Sequence, residues 1–176
     1  MMKLPPFGGI RAVSFLKVSA PPTYLYSSSP LSRESPEMKQ KLYAEGKDYS
    51  QVDLKKIRAG LRRAAPLMTF RFDPQSPAEQ WVSISSPEFT AICPFSDFPD
   101  FGTVTIEYVP DTVCVELKSF KLYINAFRDI KIFHEAVTEV IFADFLEAVK
   151  PKKAHILVDM NPRGNVKTMC EKRFKC

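Results

Sequence analysis

Cys93 and Asp100 bracket a short, proline-bounded stretch, Cys93-Pro94-Phe95-Ser96-Asp97-Phe98-Pro99-Asp100. A thiolate can add to an unsaturated carbon, and the atom that then accumulates charge needs a proton donor. A carboxyl beside Phe95, Phe98 and Phe101 is expected to be desolvated, which favours its protonated form. Lys118 and Lys121 share a face near the start of a predicted helix. Cations there oppose the helix dipole, which is poor for stability and good for holding anionic phosphates. Arg163 precedes Gly164 in a turn, with the planar fork suited to phosphate. His134 and Glu135 open a second helix, and a carboxylate there could accept two N–H bonds from a purine-like edge. Each group alone has a plainer reading: a buried thiol, solvated lysines, a surface arginine, a glutamate complementing a helix dipole. Cys, His and Asp can also bind zinc, but no pair here has the tight ligand spacing, and no metal is expected.

The elements that must hold these groups are legible in part. Residues 81–85 alternate and predict a strand that Pro87 ends. Residues 93–102 are read as a loop. Residues 103–109 alternate again, giving an antiparallel pair. A helix over 116–128 carries the stripe Leu117, Phe120, Tyr123, Ile124 and Phe127. A second over 132–149 carries Phe133, Val137, Ile141, Phe145 and Val149, and Pro151 stops it. Residues 154–160 form a strand, 162–165 a turn, and 166–173 a last, polar strand. The class is α+β: a four-stranded antiparallel sheet with both helices on one face. Its other face and its edges lack cover, so subunits are expected to close edge to edge into an oligomeric barrel.

Before this unit, residues 1–37 are punctuated by Pro5-Pro6, Gly8-Gly9, Pro21-Pro22 and Pro30, too often for a regular element. They hold no acidic residue before Glu34, a composition shared by transit peptides and disordered tails. A disordered or processed tail is expected. Residues 38–69 form a basic, partly helical extension. Asp53 caps a helix over 54–65 with Leu54, Ile57 and Leu61 on one stripe, and Lys55, Lys56, Arg58, Arg62 and Arg63 on a face expected to be solvated. Residues 70–176 are the expected domain.

The chain has 176 residues and a formal net charge of +5. Residues 1–69 hold 12 Lys and Arg against 5 Asp and Glu. The remainder holds 13 against 15. The basic excess is therefore remote from the chemistry, which disfavours direct nucleic-acid binding by the core. No apolar run is long enough to span a bilayer. The four cysteines form no Cys-x-x-Cys pair and are read as reduced thiols in a cytoplasmic protein.

Taken together, the residues resemble the NADPH-dependent 7-cyano-7-deazaguanine reductases, the nitrile reductases of queuosine biosynthesis, in their short single-repeat form. Glu116-Leu117-Lys118-Ser119-Phe120-Lys121-Leu122-Tyr123 is similar along its whole length to that family's hallmark motif. The Cys93-Pro94 to Pro99-Asp100-Phe101 stretch, Phe133-His134-Glu135 and Pro162-Arg163-Gly164 agree in order and spacing. The resemblance covers about residues 70–175. It implies the tunnelling fold, with active sites between subunits. It implies that Cys93 is the thioimide-forming nucleophile and Asp100 the proton donor, that Val115, Glu116, Leu117, His134 and Glu135 line the deazaguanine site, and that Leu117, Lys118, Lys121, Arg163 and Gly164 meet NADPH. The chain departs from the family pattern at Asp97 and Phe98, where Gly-Gln is usual, at Leu117, where many members have Ser, and at Asn165, where a second Gly is usual. Three alternatives stand beside it. A GTP cyclohydrolase-like zinc enzyme on the same fold is disfavoured by the missing ligand spacing. A relative on the same fold that adds ammonia would not need Lys118, Lys121 and Arg163. A non-catalytic RNA-binding protein would use the basic N-terminal third.

Overall fold

The computed structural model describes residues 52–175, so the expected tail over 1–37 and residues 38–51 of the extension lie outside the described residues. The chain enters through α1, Leu54–Ala64. The Asp53 side chain accepts from the Lys56 N–H at 3.0 Å, satisfying one of the amides a helix start leaves without a partner. Pro66 disfavours helical backbone at Ala65, where the helix ends. Leu61 and Ala65 are buried, with Leu54 and Ile57 packed beside them.

A four-stranded sheet follows: β2, Val82–Ile92; β3, Pro99–Val109; β5, Lys153–Met160; and β6, Met169–Lys175. Its order is β2-β3-β5-β6, antiparallel throughout. Between β3 and β5 run α2, Leu117–Asn125, and α3, His134–Val149. Alternation sorts the strand residues. Val104, Ile106 and Tyr108 of β3 and Ala154, Ile156 and Val158 of β5 are buried. They join Tyr123, Phe127, Ile141 and Phe145 in one core. Tyr108 meets Phe145 edge-on at 5.0 Å, and Phe89 lies 5.6 Å from Phe127. The opposite face carries Ser85 and Thr105, whose hydroxyls are 3.1 Å apart, and His155 between Glu107 and Glu171.

The α+β class and the order of the large elements follow the expectation. Several details do not. Two three-residue strands, β1 (Thr69–Arg71) and β4 (Val113–Val115), pair antiparallel, Thr69 opposite Val115. They are too short for periodicity to reveal. Pro87 does not end β2. The strand continues to Ile92 through a register shift between Ser86 and Phe89. On an edge strand at an irregularity, proline's missing N–H removes no ladder bond. The expected loop over 93–102 shrinks, because β3 starts at Pro99. The last strand starts at Met169, not at 166, since Val166 and Arg163 bond to each other across the preceding turn. Leu117, assigned to an apolar stripe, is exposed.

Among the described residues, Leu61 and Ala65 of the expected extension join the same core as the sheet and the later helices. The basic face of α1 is also only partly solvated. Arg58 Nε donates to Asp144 at 2.7 Å, Arg62 Nη2 donates to the same oxygen at 2.9 Å, and both arginines also reach Glu147. The Tyr123 hydroxyl donates to the other Asp144 oxygen at 2.8 Å.

Candidate active site

Cys93 is the first residue after β2, in a turn that the main chain closes on both sides. Its N–H donates to the Phe98 carbonyl at 2.9 Å, and its own carbonyl accepts from the Asp97 N–H at 3.0 Å. The residue before it is fastened to the entry of α3. The Ile92 N–H donates to the Ile130 carbonyl and the Ile132 N–H to the Ile92 carbonyl, at 2.9 and 3.1 Å, a short parallel bridge. Phe95 stacks edge-on against Phe133 at 5.2 Å, and Lys131 pairs with Asp97 at 2.7 Å. These contacts bring the thiol and the first residue of α3, His134, to the same end of the sheet.

Asp100 lies on β3, opposite Ala91, on the same face as Gly102, Val104 and Ile106. The strand's alternation buries it, leaving it 2% exposed. The expected desolvation by Phe95, Phe98 and Phe101 is not the cause, since all three rings are exposed. A buried carboxyl needs partners. His134 Nε2 is 3.1 Å from Oδ2, and Arg163 Nη1 donates to Oδ1. Arg163 reaches Asp100 because the β5–β6 turn is pinned to β3, with the Asn161 N–H on the Phe101 carbonyl at 2.8 Å. Gly102 permits this close seating: a Cβ there would lie 2.6 Å from the Asp159 carbonyl oxygen and 2.9 Å from the Met160 sulfur.

Burial works against ionisation of the Cys93 thiol. The Ser96 hydroxyl and the main-chain N–H groups of Ser96 and Phe95, hydrogen-bonded to the sulfur, outweigh it and hold the thiol below its ordinary range; the nearby Asp100 charge pushes the other way. Ser96 was not singled out from the sequence. Its signal is a hydroxyl three residues after the thiol, the capping-box offset.

Two of the departures from the family pattern, Asp97 and Asn165, have a backbone explanation. Asp97 has φ 59° and Asn165 φ 66°, both left-handed. Gly enters that region without strain, and Asp and Asn are the side chains that tolerate it best.

Five of the other expected residues, Val115, Glu116, Leu117, Lys118 and Lys121, gather at the start of α2, while Glu135 and Gly164 lie elsewhere. Val115 ends β4, buried, with its N–H on the Tyr108 hydroxyl at 3.3 Å. Glu116 is the N-cap of α2. Its carboxylate accepts from the Lys118 and Ser119 N–H groups at 2.8 and 2.7 Å, and these two bonds hold it below the usual glutamate range. It is therefore an ionised acceptor with lone pairs remaining. Leu117, Lys118 and Lys121 are exposed. Leu117 and Lys121 line an open groove of about 560 Å³ between α2 and the outer edge of β2, with Arg128. Glu135, in the first turn of α3, lies near Cys170, whose thiol is pushed up by burial and by that charge. Gly164, φ 53°, sits in the exposed turn beside Arg163.

Residues 99–175 match the family described as QueF-like protein. The NADPH-dependent 7-cyano-7-deazaguanine reductase of Synechocystis sp. is 48% identical over 112 residues, which are 64% of this chain and 81% of that protein. The chain belongs to this reductase family. The family's member in Gloeobacter violaceus is 46% identical over 110 residues, covering 62% of this chain and 80% of that protein. The member in Prochlorococcus marinus is 53% identical over 88 residues, half of this chain and 63% of that protein's length. Among solved structures, the archaeosine synthase QueF-Like in its apo form aligns with a TM-score of 0.51 at 22% identity, over 56% of this chain and 95% of that chain. At that identity the likeness shows the fold alone.

Proposed function

We propose that this chain reduces the nitrile of 7-cyano-7-deazaguanine to the aminomethyl group with NADPH, in tRNA queuosine biosynthesis. The observation that carries the reading is the meeting of Cys93 with Asp100, itself paired with His134, in a chain whose relatives are named for this reaction. The Cys93 thiolate adds to the nitrile carbon, forming a C–S bond as one π pair moves to nitrogen. Asp100 supplies the proton that nitrogen takes up, giving a thioimide. The 3.1 Å contact between Asp100 and His134 can carry a proton on either side, so the acid can be recharged through the imidazole. When bound, NADPH supplies a hydride to the adduct and, in a second equivalent, another to the imine left after the thiolate departs. Protons complete each step, so the net change is four electrons and four protons.

Glu116 and Glu135 are the acceptors for the N–H edge of the deazaguanine, with Val115, Leu117 and His134 lining the site. Lys118, Lys121, Leu117, Arg163 and Gly164 meet NADPH. The exposure of both lysines and the groove that Lys121 lines fit an extended anionic cofactor. Arg163 engages Asp100 through Nη1, leaving other donors of its fork for phosphate. Among the described residues β2 and β6 are the outer strands of the sheet, which supports closure into a barrel of several subunits with sites between them. We place the protein in the cytoplasm, where the nucleophile stays reduced, with no direct contact to nucleic acid.

The test mixes protein, NADPH and 7-cyano-7-deazaguanine. Two NADPH are oxidised per nitrile, and without NADPH an adduct forms that maps to Cys93 by mass spectrometry. Adduct on Cys114, Cys170 or Cys176, or an adduct that ammonia converts to an amidine while NADPH is never oxidised, overturns the reading.

A further inference from the structure

The start of α2 is held by a residue far from it in the chain, Met68, which precedes the stretch that resembles the reductases and the residues, 99–175, that match the family. Thr69 pairs with Val115 in the β1–β4 ladder, and one step further Met68 stands opposite Glu116. The Glu116 N–H donates to the Met68 carbonyl at 2.8 Å. The reciprocal bond that such a pair makes in an antiparallel ladder is relayed here through a side chain. The Met68 N–H donates to Ser119 Oγ at 2.9 Å, and the Ser119 hydroxyl donates to the Glu116 carbonyl at 2.7 Å. The Met68 carbonyl, at 3.4 Å, is the more distant acceptor for the same proton. Ser119 is buried, and the relay is what satisfies its hydroxyl there. The Glu116 carbonyl also takes the first helical bond, from the Phe120 N–H at 3.0 Å. Glu116 is thereby fixed at its N–H, its carbonyl and its carboxylate, the last by the Lys118 and Ser119 amides.

We propose that Ser119 is a positioning residue for substrate recognition: its hydroxyl locks Met68 to the start of α2 and so holds the Glu116 carboxylate where the N–H edge of the deazaguanine meets it. This deepens the nitrile-reductase reading and rests on Glu116 being the acceptor. An acceptor ordered before the ligand arrives does not have to be ordered by it, which raises affinity without adding a contact. Ser119→Ala takes the acceptor from the Met68 N–H and the donor from the Glu116 carbonyl. It leaves both amides that cap the carboxylate in place, because they belong to the main chain.

The test is a double-mutant cycle on the binding of 7-aminomethyl-7-deazaguanine to the full chain, read by titration calorimetry without NADPH. This probe carries the same ring edge and no nitrile, so no thioimide forms. Ser119→Ala should weaken binding about fivefold, the scale of one hydrogen bond. Glu116→Gln keeps the side-chain length and one oxygen for the helix amides, but sets an NH2 donor where the ligand needs an acceptor. In that background Ser119→Ala should change affinity by less than about twofold. Ser119→Cys, close in size and weak in hydrogen bonding, should behave as Ser119→Ala and replaces it in the cycle if the alanine variant does not fold. A loss of equal size in both backgrounds marks a structural role alone and overturns the proposal, as does binding that neither Ser119 variant weakens. If Glu116→Gln binds the probe as tightly as the wild type, Glu116 is not the acceptor and the proposal falls with it. Failure of the wild type to bind the probe or to reduce the nitrile overturns the functional reading instead.

Discussion

Replacing Asp144 with Ala should unfasten α1 from the core. The Asp144 side chain is 3% exposed and accepts from three side chains. The costs differ by partner. The Tyr123 hydroxyl belongs to a residue 1% exposed, so losing its acceptor strands a buried donor, about 1–3 kcal/mol. The Arg58 and Arg62 side chains are 30% and 43% exposed and can turn to water or to Glu147, so their share is about 1 kcal/mol. The sum is roughly 2–4 kcal/mol, which at a urea slope of about 2 kcal/mol per molar lowers the midpoint by about 1–2 M. Burial and the Asp144 charge both push Tyr123 upward, so it remains a donor at any accessible pH. In a Tyr123→Phe background the stranded donor is gone, and Asp144→Ala should cost about 1–2 kcal/mol less. Urea unfolding of the four proteins in the cycle measures both quantities. A loss below about 0.5 kcal/mol, the scale of ordinary surface changes, or no coupling to Tyr123, would refute the reasoning.

Asp100→Asn should lower nitrile turnover by about a hundredfold or more, the scale of losing a positioned acid, with thioimide formation slowed as well; steady-state kinetics with unchanged turnover would remove Asp100 from the mechanism. Glu116→Ala should weaken substrate binding and reduce thermal stability, and its effect on stability should depend on pH. The folded-state value of Glu116 is lowered, so its contribution is fully present above the ordinary glutamate range and is lost as pH falls through the lowered value. Melting curves of wild type and variant should accordingly converge on acidification, and a constant gap between them would count against the cap.

What the sequence disclosed was local. Asp53 and the Leu54, Ile57, Leu61 stripe marked α1, because capping and periodicity act within a few residues. The alternation of Val104, Ile106 and Tyr108 marked β3 for the same reason. Choice of distant partners was not legible. Nothing near Arg58 in the chain points to Asp144, 86 residues away, so a face built of arginines read as solvated. Pro87 read as a terminator because its tolerance depends on β2 being an edge, a property of the assembled sheet. At the site, the short separation of Cys93 and Asp100 was visible, and so was the aromatic company of Asp100. That its burial comes from strand alternation, and that Arg163 lies on it, depends on how the β5–β6 turn seats against β3.

The parallel bridge between Ile92 and the residues before α3 bears on what the substrate meets. With Cys93 hydrogen-bonded within its own turn and that turn fastened to Ile130 and Ile132, the main chain that carries the thiol has little conformational entropy left to lose. That loss belongs to folding, when β2 and the start of α3 come together. On the proposed reading, arrival of a nitrile then requires no ordering of the loop. The free energy of the encounter can go into alignment of carbon with sulfur, which is how a rigid scaffold raises effective molarity.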